Sequence, residues 1–285
     1  MRTIKTLFIL ALAFSTLSCS LVKTAYNNAP ALIAWRLDSY FNFSEAQKTK
    51  LKPALQELHA WHRKNELPRY VAFLDEITND LGHDVSAKTA CQRIESIKSS
   101  AQTLQTKFTP IIVDIAESLS DQQLQHLQQK LEKRNEEWKE EWWQETTEEQ
   151  REVRLEKSRD FAEKVYGDIN EKQINLLKQS IAKNNIDPAI IYSEILRRDE
   201  DALNILKALR NPALSNEEKT QLVRAGFERT QNSPNLAYQV YIDKLTQQTC
   251  ETIASLHAST NAQQRLHAQQ WVEDYKTQFT VLQSK

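Results

Sequence analysis

The side chains best suited to chemistry lie in one predicted helix, where two histidines and a glutamate recur at helical spacing. His59 and His62 are about one turn apart and Glu66 lies one turn further on, so a metal ion could in principle meet all three on one face. The pattern differs from the His-Glu-x-x-His motif of zinc hydrolases, and the other histidines are scattered. We therefore predict no metal site, and expect Trp61 and His62 to pack beside Glu66.

The motifs of common enzyme classes are missing from the sequence. It contains no Gly-x-Ser-x-Gly nucleophile elbow, and three glycines in 285 residues leave no phosphate-binding loop. Acidic pairs such as Glu140-Glu141 could act as glycosidase carboxylates, but 38 acidic residues make such pairs inevitable. We predict no catalytic residue and no cofactor. The alternative is a cell-wall-acting enzyme that uses carboxylates or a metal at His59 and His62.

The first 18 residues are typical of an export signal. Arg2 and Lys5 precede about twelve almost wholly apolar residues, a charged start and short apolar run found in signal peptides. A helix of about twelve residues is too short to cross a bilayer core of about 30 Å. We therefore expect this stretch to be removed.

The end of the signal, Leu17-Ser18-Cys19-Ser20, resembles the cleavage site of bacterial lipoprotein precursors, with Thr16 at a position where such sites favour Leu. The resemblance implies that Cys19 becomes the lipid-modified first residue. Ser20, being other than Asp, implies the outer membrane of a two-membrane bacterium. Three acyl chains exceed the two signals needed for stable anchoring, so we predict a palmitate-bearing lipoprotein that faces the periplasm. The alternative is an ordinary secretory signal that contains a cysteine.

With Cys19 assigned to lipid, Cys91 and Cys250 remain as one pair in an oxidising compartment, where a disulfide persists. Their bridge would tie an early helix to a late one. Closing a loop of about 160 residues stabilises the fold by on the order of 4 to 5 kcal/mol in the loop-entropy model. We predict this disulfide; two buried free thiols are the alternative.

Composition limits the classes of partner. Removal of residues 1–18 leaves 35 Lys and Arg against 38 Asp and Glu, a net charge of −3. A nucleic-acid binder needs a strongly basic face, so we predict no nucleic-acid partner. Few glycines and prolines, with long stretches of Ala, Leu, Glu, Gln, Lys and Arg, favour helices.

Five short segments share a capping residue that is followed three positions later by Gln or Glu. They are Ser44–Gln47, Ser120–Gln123, Asn170–Gln173, Ser215–Glu218 and Thr260–Gln263. In such a capping box the first side chain accepts a hydrogen bond from a backbone N–H of the first turn, and the Gln or Glu side chain reaches back to the N–H of the capping residue, so each box marks a helix start. A sixth copy, Thr147–Gln150, lies inside a predicted long helix.

These signals, with prolines near several helix starts, predict an all-α fold, an elongated multi-helix bundle with long amphipathic helices. The predicted helices span about 45–65, 68–81, 86–118, 120–166, 171–184, 188–210, 215–231, 234–257 and 260–282. The predicted organisation is a signal peptide at 1–18, a lipidated tether at 19–30 and one helical domain at 31–285.

Several motifs lie near the start of the predicted domain: Tyr26-Asn27-Asn28-Ala29-Pro30, Trp35, Asp38-Ser39-Tyr40, Gln47, Trp61-His62-Arg63 and Glu66-Leu67-Pro68. Together they resemble a family of Gram-negative lipoproteins known only as a domain of unknown function. The similarity covers most of the mature chain and is strongest over residues 26–75. It implies a helical lipoprotein and no particular activity.

The Ser/Thr-x-x-Gln boxes are also similar to the LTxxQ motif of Spy-type periplasmic chaperones, which bind unfolded clients. The similarity is confined to four-residue motifs, and this chain is longer than those proteins and is not basic. It implies unfolded proteins as candidate partners.

The predicted helix 120–166 carries three tryptophans, Trp138, Trp142 and Trp143. The first two continue an apolar stripe begun by leucines, and beyond Trp143 the sequence is almost all polar. One interpretation is an amphipathic helix packed on the bundle, with a solvated continuation. The other is a projecting arm whose tryptophans form part of a surface for another protein, because tryptophans anchor interfaces.

We predict a non-catalytic interaction or chaperone-like protein, anchored in the outer membrane through the lipid on Cys19 and exposed to the periplasm. Its partners would be the membrane and either an envelope protein or unfolded clients. The alternatives are the enzyme described above and a structural tether without a binding groove.

Overall fold

The computed structural model describes residues 22–142, 146–183 and 187–284, which form an all-α multi-helix bundle. No strand occurs in these ranges, and none of their helices is both long and apolar enough to span a membrane. Residues 22–27 are helical, and Cys19 lies outside the described residues. The longer helices are α1 (Ala29–Phe41), α2 (Glu45–Leu81), α3 (Ala87–Ala116), α4 (Asp121–Trp142), α5 (Thr147–Tyr166), α6 (Glu171–Lys183), α7 (Pro188–Leu209), α8 (Asn216–Gln231), α9 (Leu236–Ala258) and α10 (Ala262–Gln283).

Most of the predicted capping boxes begin helices, and their reciprocal bonds satisfy N–H groups that have no partner within the helix. The last prediction was one residue early, because the box before α10 is Asn261–Gln264. Four boxes are as predicted: Ser44–Gln47, Ser120–Gln123, Asn170–Gln173 and Ser215–Glu218.

Four of these boxes interlock in two pairs through their glutamine side chains. At the starts of α2 and α4, the Gln47 amide donates to Gln123 Oε1 at 3.2 Å and the Gln123 amide donates to Gln47 Oε1 at 2.7 Å. Each amide also donates to a carbonyl two residues before the other box, at Ser118 and Asn42. Each glutamine therefore caps its own helix and fastens the turn that leads into the other.

The second pair repeats this arrangement at the starts of α6 and α10. The Gln173 and Gln264 amides donate to each other's oxygen at 3.0 Å, and they also donate to the carbonyls of Ser259 and Asp168. Gln173 is fully buried and Gln264 nearly so. The boxes before α5 and α8, Thr146–Glu149 and Ser215–Glu218, carry Glu instead. A carboxylate has no N–H to donate, so it cannot form this reciprocal pair.

The helices enclose two apolar cores, which we name the first lobe and the second lobe. The first lobe is built around Leu51, Val113 and Leu209, from α2, α3 and α7. The second is built around Ala162, Leu177, Leu256 and Ala268, from α5, α6, α9 and α10. Helix α2 contributes to both and makes its most extensive contact with α10.

The structure contradicts the predicted break before Pro68, because α2 continues through this residue. A proline inside a helix costs about 3 kcal/mol or more. Packing on α10 on both sides of Pro68 outweighs that cost: Arg63 donates to the Leu282 carbonyl at 3.1 Å, and the Tyr70 ring lies 6.2 Å from the Phe279 ring.

The predicted single helix 120–166 is also wrong, because α4 ends at Trp142 and α5 begins behind the Thr146–Glu149 box. This box lies one residue before the copy noted in the sequence. Helix α5 packs on α6 and α10. It is therefore a wall of the second lobe and does not project as an arm.

A disulfide joins Cys91 of α3 to Cys250 of α9, with the two Cα atoms 5.3 Å apart. Cys250 is fully buried. The bond fastens together two helices that are separated by 159 positions in the sequence.

We expect this disulfide to supply a large share of the stability. In the chain from residue 20 to 285, replacing Cys91 and Cys250 by Ala should lower the free energy of unfolding by about 4 kcal/mol, because the unfolded chain gains conformational freedom. Urea unfolding followed by circular dichroism measures the change. Two reactive thiols in the denatured, unreduced protein would contradict the bridge.

The interlocked boxes predict that Gln173→Glu destabilises the protein although it keeps the cap. The substituted carboxylate still accepts from the backbone N–H of the capping residue Asn170, but it loses the N–H donors to Gln264 and to the Ser259 carbonyl in a fully buried place. We expect a loss of about 2 to 3 kcal/mol in urea unfolding. The matched control, Glu218→Gln, changes the same box position where no pairing exists, and should alter stability by less than about 0.5 kcal/mol. Equal effects of the two changes would refute the pairing.

Candidate binding site around the first helix

Helix α1 is apolar but loosely packed. Pro30 occupies its first turn, and it ends at Asn42, whose left-handed backbone (φ 50°) lets its N–H return to the Asp38 carbonyl. The Asp38 carboxylate then accepts from the Phe43 N–H at 2.8 Å. None of the 13 residues of α1 is fully buried. The helix therefore leaves apolar side chains available at the surface.

Three large apolar side chains of α1 are exposed, those of Leu32, Ile33 and Trp35. Trp35 is 69% exposed and Leu32 is 51% exposed. Single exposed apolar residues are ordinary on a protein surface, whereas a contiguous group is typical of an interaction site. Leu32 and Trp35 are three positions apart and so are neighbours on one side of α1, and we call these two residues the α1 patch. Ile33 lies on another side of the helix, where it lines a cleft.

Apolar clefts flank α1 on its inner side. One, of about 510 Å³, lies between α1, α2, α3 and α8 and is lined by Tyr26, Ile33, Leu58, Leu104 and Phe108 among others. A second, of about 300 Å³, lies between α1, α3, α7 and α8. The Phe108 and Phe227 rings line both clefts. The α1 patch thus adjoins a wider apolar region.

Tyr26, just before α1, is held against α2 by several aromatic and polar contacts. Its hydroxyl lies 2.9 Å from His62 Nδ1, and its ring lies 4.6 Å from the His59 ring. The Arg63 guanidinium sits 5.1 Å from the same ring and donates to Asn27 Oδ1 at 2.7 Å. These contacts bring together the motif residues of 26–27 and 59–63, and they attach the segment before α1 to the bundle.

Burial sets the charge of this cluster. It lowers the pKa of His62 and of His59 below the ordinary value of 6.5, and it raises the pKa of Tyr26 above 10.0. Glu66 opposes the shift at His62, and Arg63 adds to it at His59. The two imidazoles and the phenol are therefore neutral at pH 7, which suits a packed structural contact.

His59, His62 and Glu66 do not converge as metal ligands. Glu66 is fully buried and its Oε1 accepts from Arg69 at 3.2 Å. Throughout the described ranges, no group of three or more His, Cys, Asp or Glu side chains is arranged to hold a metal ion. His62 instead contacts Tyr26 and, at 5.6 Å between rings, Tyr70.

The tryptophans singled out in the sequence lie far from α1 along the chain and pack within the bundle. The Trp138 ring stacks on Tyr192 of α7 at 5.7 Å. The Trp142 ring lies 5.1 Å from the Lys157 ammonium of α5, and its carbonyl accepts from Gln150. Trp143 lies outside the described residues. Leu124, Leu127 and Leu131 are buried, which confirms the apolar stripe.

Sequence reasoning missed the α1 patch. The sequence indicated Trp35 only as a motif residue. A short apolar run after a tether is equally typical of a buried helix, so the run did not predict exposure. The available signal was composition: the first seven residues of α1, Ala29–Trp35, are all apolar. A helix of this length at the start of a domain has too few neighbours to cover all of its sides.

The model of a family of unknown function, DUF6279, matches residues 39–225, about two thirds of the chain. The match begins near the end of α1 and stops within α8. No curated protein and no solved structure matches the chain.

Because His62 is neutral in the folded protein, we expect acid to destabilise the protein. Because burial lowers the pKa of His62, the unfolded chain takes up a proton near pH 6.5 before the folded chain does, and stability falls as the pH drops below about 6.5. His62→Gln should reduce the fall in urea stability between pH 7.5 and 5.5. The matched control, His83→Gln, changes an exposed histidine and should leave the fall as in the unaltered chain. An unchanged pH slope in His62→Gln would show that folding does not lower the pKa of this imidazole.

Proposed function

Since this chain belongs to DUF6279, a family of unknown function, we propose from its own residues that it is a non-catalytic periplasmic lipoprotein that binds apolar segments of other proteins. The lipid anchor rests on the sequence around Cys19. The binding role rests on α1.

The exposed α1 patch beside two apolar clefts is the observation that carries the proposal. Burying Trp35 and Leu32 against a partner removes a large apolar area from water, at about 25 cal/mol for each Å². The clefts behind α1 add further apolar surface, from Ile33 and Leu104 to Phe227. An extended apolar segment of an unfolded protein has the chemistry to match such a surface.

The capping boxes do not support the chaperone-like role. Their glutamines cap helices and hold helix starts together, so their likeness to chaperone motifs has a structural explanation. Support for client binding therefore comes from α1 alone.

A second candidate role is contact with the membrane itself. Trp35 follows Cys19 by only 16 residues, so a lipid on Cys19 would hold the α1 patch near a bilayer. Tryptophan is favoured at the boundary between lipid and water. In this case the α1 patch would orient the bundle on its membrane and would bind no client.

The test uses residues 20–285 without lipid, added in increasing ratio to an unfolded protein whose aggregation is followed by light scattering. We expect suppression near a one-to-one ratio, and loss of suppression in the double variant Leu32→Ser with Trp35→Ser. The matched control, Leu236→Ser with Val240→Ser, removes two apolar side chains that are 77% and 70% exposed on α9, and should retain suppression.

Three results would overturn parts of the proposal. No suppression at large excess removes client binding. Loss of suppression only in the α9 variant would show that clients bind at α9 and not at α1. Sedimentation with phospholipid vesicles that depends on Leu32 and Trp35, without client protection, favours the membrane-contact role.

A further inference from the structure

Two hollows of the bundle differ in the groups that line them. The second lobe surrounds a cavity of about 560 Å³, which is lined mainly by apolar side chains of α5, α6, α9 and α10 with parts of α2 and α3. A smaller cleft of about 360 Å³, which we call the α1–α2 cleft, combines apolar and charged side chains. Its lining includes Ala31, Trp35 and Asp38 of α1 with Lys48 and Lys52 of α2. It therefore joins the α1 patch, at Trp35, to charged groups.

The two lysines of the α1–α2 cleft differ in their partners. Lys48 Nζ lies 3.4 Å from a carboxylate oxygen of Asp38 and 3.4 Å from one of Glu45, so carboxylates of the protein balance its charge. Lys52 is exposed, and it makes no ion pair with an acidic side chain in the described part of the chain. The cleft thus keeps a positive charge beside an exposed tryptophan.

A second cation adjoins the α1 patch. Arg36 follows Leu32 by four positions, so the two side chains are neighbours on α1. The Arg36 guanidinium lies 4.8 Å from the centre of the Tyr40 ring and donates to the Tyr40 hydroxyl at 3.1 Å. Neither contact brings a carboxylate to this guanidinium. Two apolar side chains and two cations therefore lie close together, a combination typical of helices that bind at a bilayer surface.

The charge of the whole chain is distributed in the same sense. Residues 22–56 carry five Lys and Arg against two Asp and Glu, whereas residues 57–285 carry 30 against 36. The basic part of this acidic chain is therefore the part that follows Cys19 most closely. Basic segments beside a membrane anchor are attracted to the negative surface that anionic lipids create.

The position of Cys19 limits how far α1 can lie from a membrane that holds its lipid. Val22 follows Cys19 by three positions, which span at most about 11 Å when fully extended. Trp35 follows Val22 by 13 positions that are helical apart from Asn28, a rise of about 20 Å at about 1.5 Å per residue. A lipid on Cys19 would therefore keep Trp35 within about 30 Å of the bilayer surface.

We propose, on the basis of the lipid anchor and the membrane contact of the proposed function, that α1 docks on the anionic phospholipids of the membrane that holds the anchor. Lipid head groups bind at Lys52 and Arg36, and Leu32 and Trp35 lie at the boundary between head groups and acyl chains. Docking covers the α1 patch. An unfolded client and the lipid surface therefore compete for Trp35.

The experiment couples residues 19–285 to vesicles through the Cys19 thiol. Because the bridge between Cys91 and Cys250 occupies the other two cysteines, a maleimide lipid reacts at Cys19. The vesicles consist of phosphatidylcholine with brominated acyl chains, with or without phosphatidylglycerol. Bromine quenches tryptophans that reach the acyl chains, and comparison with Trp35→Phe isolates the signal of Trp35. We expect quenching of Trp35 on the phosphatidylglycerol vesicles, and less quenching in high salt.

Two double variants test the head-group contacts. Arg36→Gln with Lys52→Gln should weaken the docking equilibrium about 25-fold, about fivefold for each cation removed. The matched control, Lys172→Gln with Lys178→Gln, removes the same charge from two exposed lysines of α6 and should leave the quenching of Trp35 unchanged. Both double variants should still suppress client aggregation, because Leu32 and Trp35 are intact.

Other outcomes would contradict the docking. Absence of Trp35 quenching, or equal quenching with and without phosphatidylglycerol, overturns docking on anionic lipid. Equal losses in the two double variants, both folded by circular dichroism, would remove the head-group contacts at Arg36 and Lys52. Quenching of Trp35 without client suppression would remove client binding and keep the docking, and the reverse result would keep client binding alone. The two proposals can therefore fail independently.

Discussion

The interlocked glutamine boxes are the interaction on which the bundle depends. Helix starts carry backbone N–H groups that need partners, and burying two starts together would ordinarily leave several of them unsatisfied. A glutamine amide offers an acceptor and two donors in one planar group. Its oxygen serves its own helix, and its nitrogen serves the other glutamine and the turn before the other helix. Each pair therefore fixes two helix starts relative to each other, one pair in each lobe.

Fixing helices at their ends reduces the need for tight packing along their length. In the second lobe, α9 is held at Cys250 by the disulfide, at His257 by a 2.7 Å contact with the His83 carbonyl, and at Ser259 by the Gln173 amide. These restraints lie in its C-terminal half. A helix held in this way can form one wall of a cavity, and α9 does so together with α5, α6 and α10.

Local signals in the sequence were enough to locate most helix starts and the buried stripe of α4, because capping and amphipathicity act within one turn or one face. The pairing of Gln47 with Gln123 joins residues 76 positions apart, and no local pattern encodes it. The continuity of α2 through Pro68 likewise depends on contacts with α10, more than 200 positions away. The α1 patch was missed for the same reason. The exposure of a helix depends on which other helices pack against it, and those helices can be distant in the sequence.

The α1 patch and the cavity of the second lobe differ in a way that follows from their surroundings. The α1 patch is open, is flanked by clefts and lies on a helix with no fully buried residue. Such a surface suits a partner that can adapt its conformation to it, such as an extended peptide. The cavity of the second lobe is framed by helices held at fixed points and is lined mainly by apolar side chains. Since the two sites lie in different lobes, a ligand in the second would influence α1 through the helices that reach both lobes. These include α2, which contributes to both cores, and α3, which carries Val113 of the first core and the disulfide to α9.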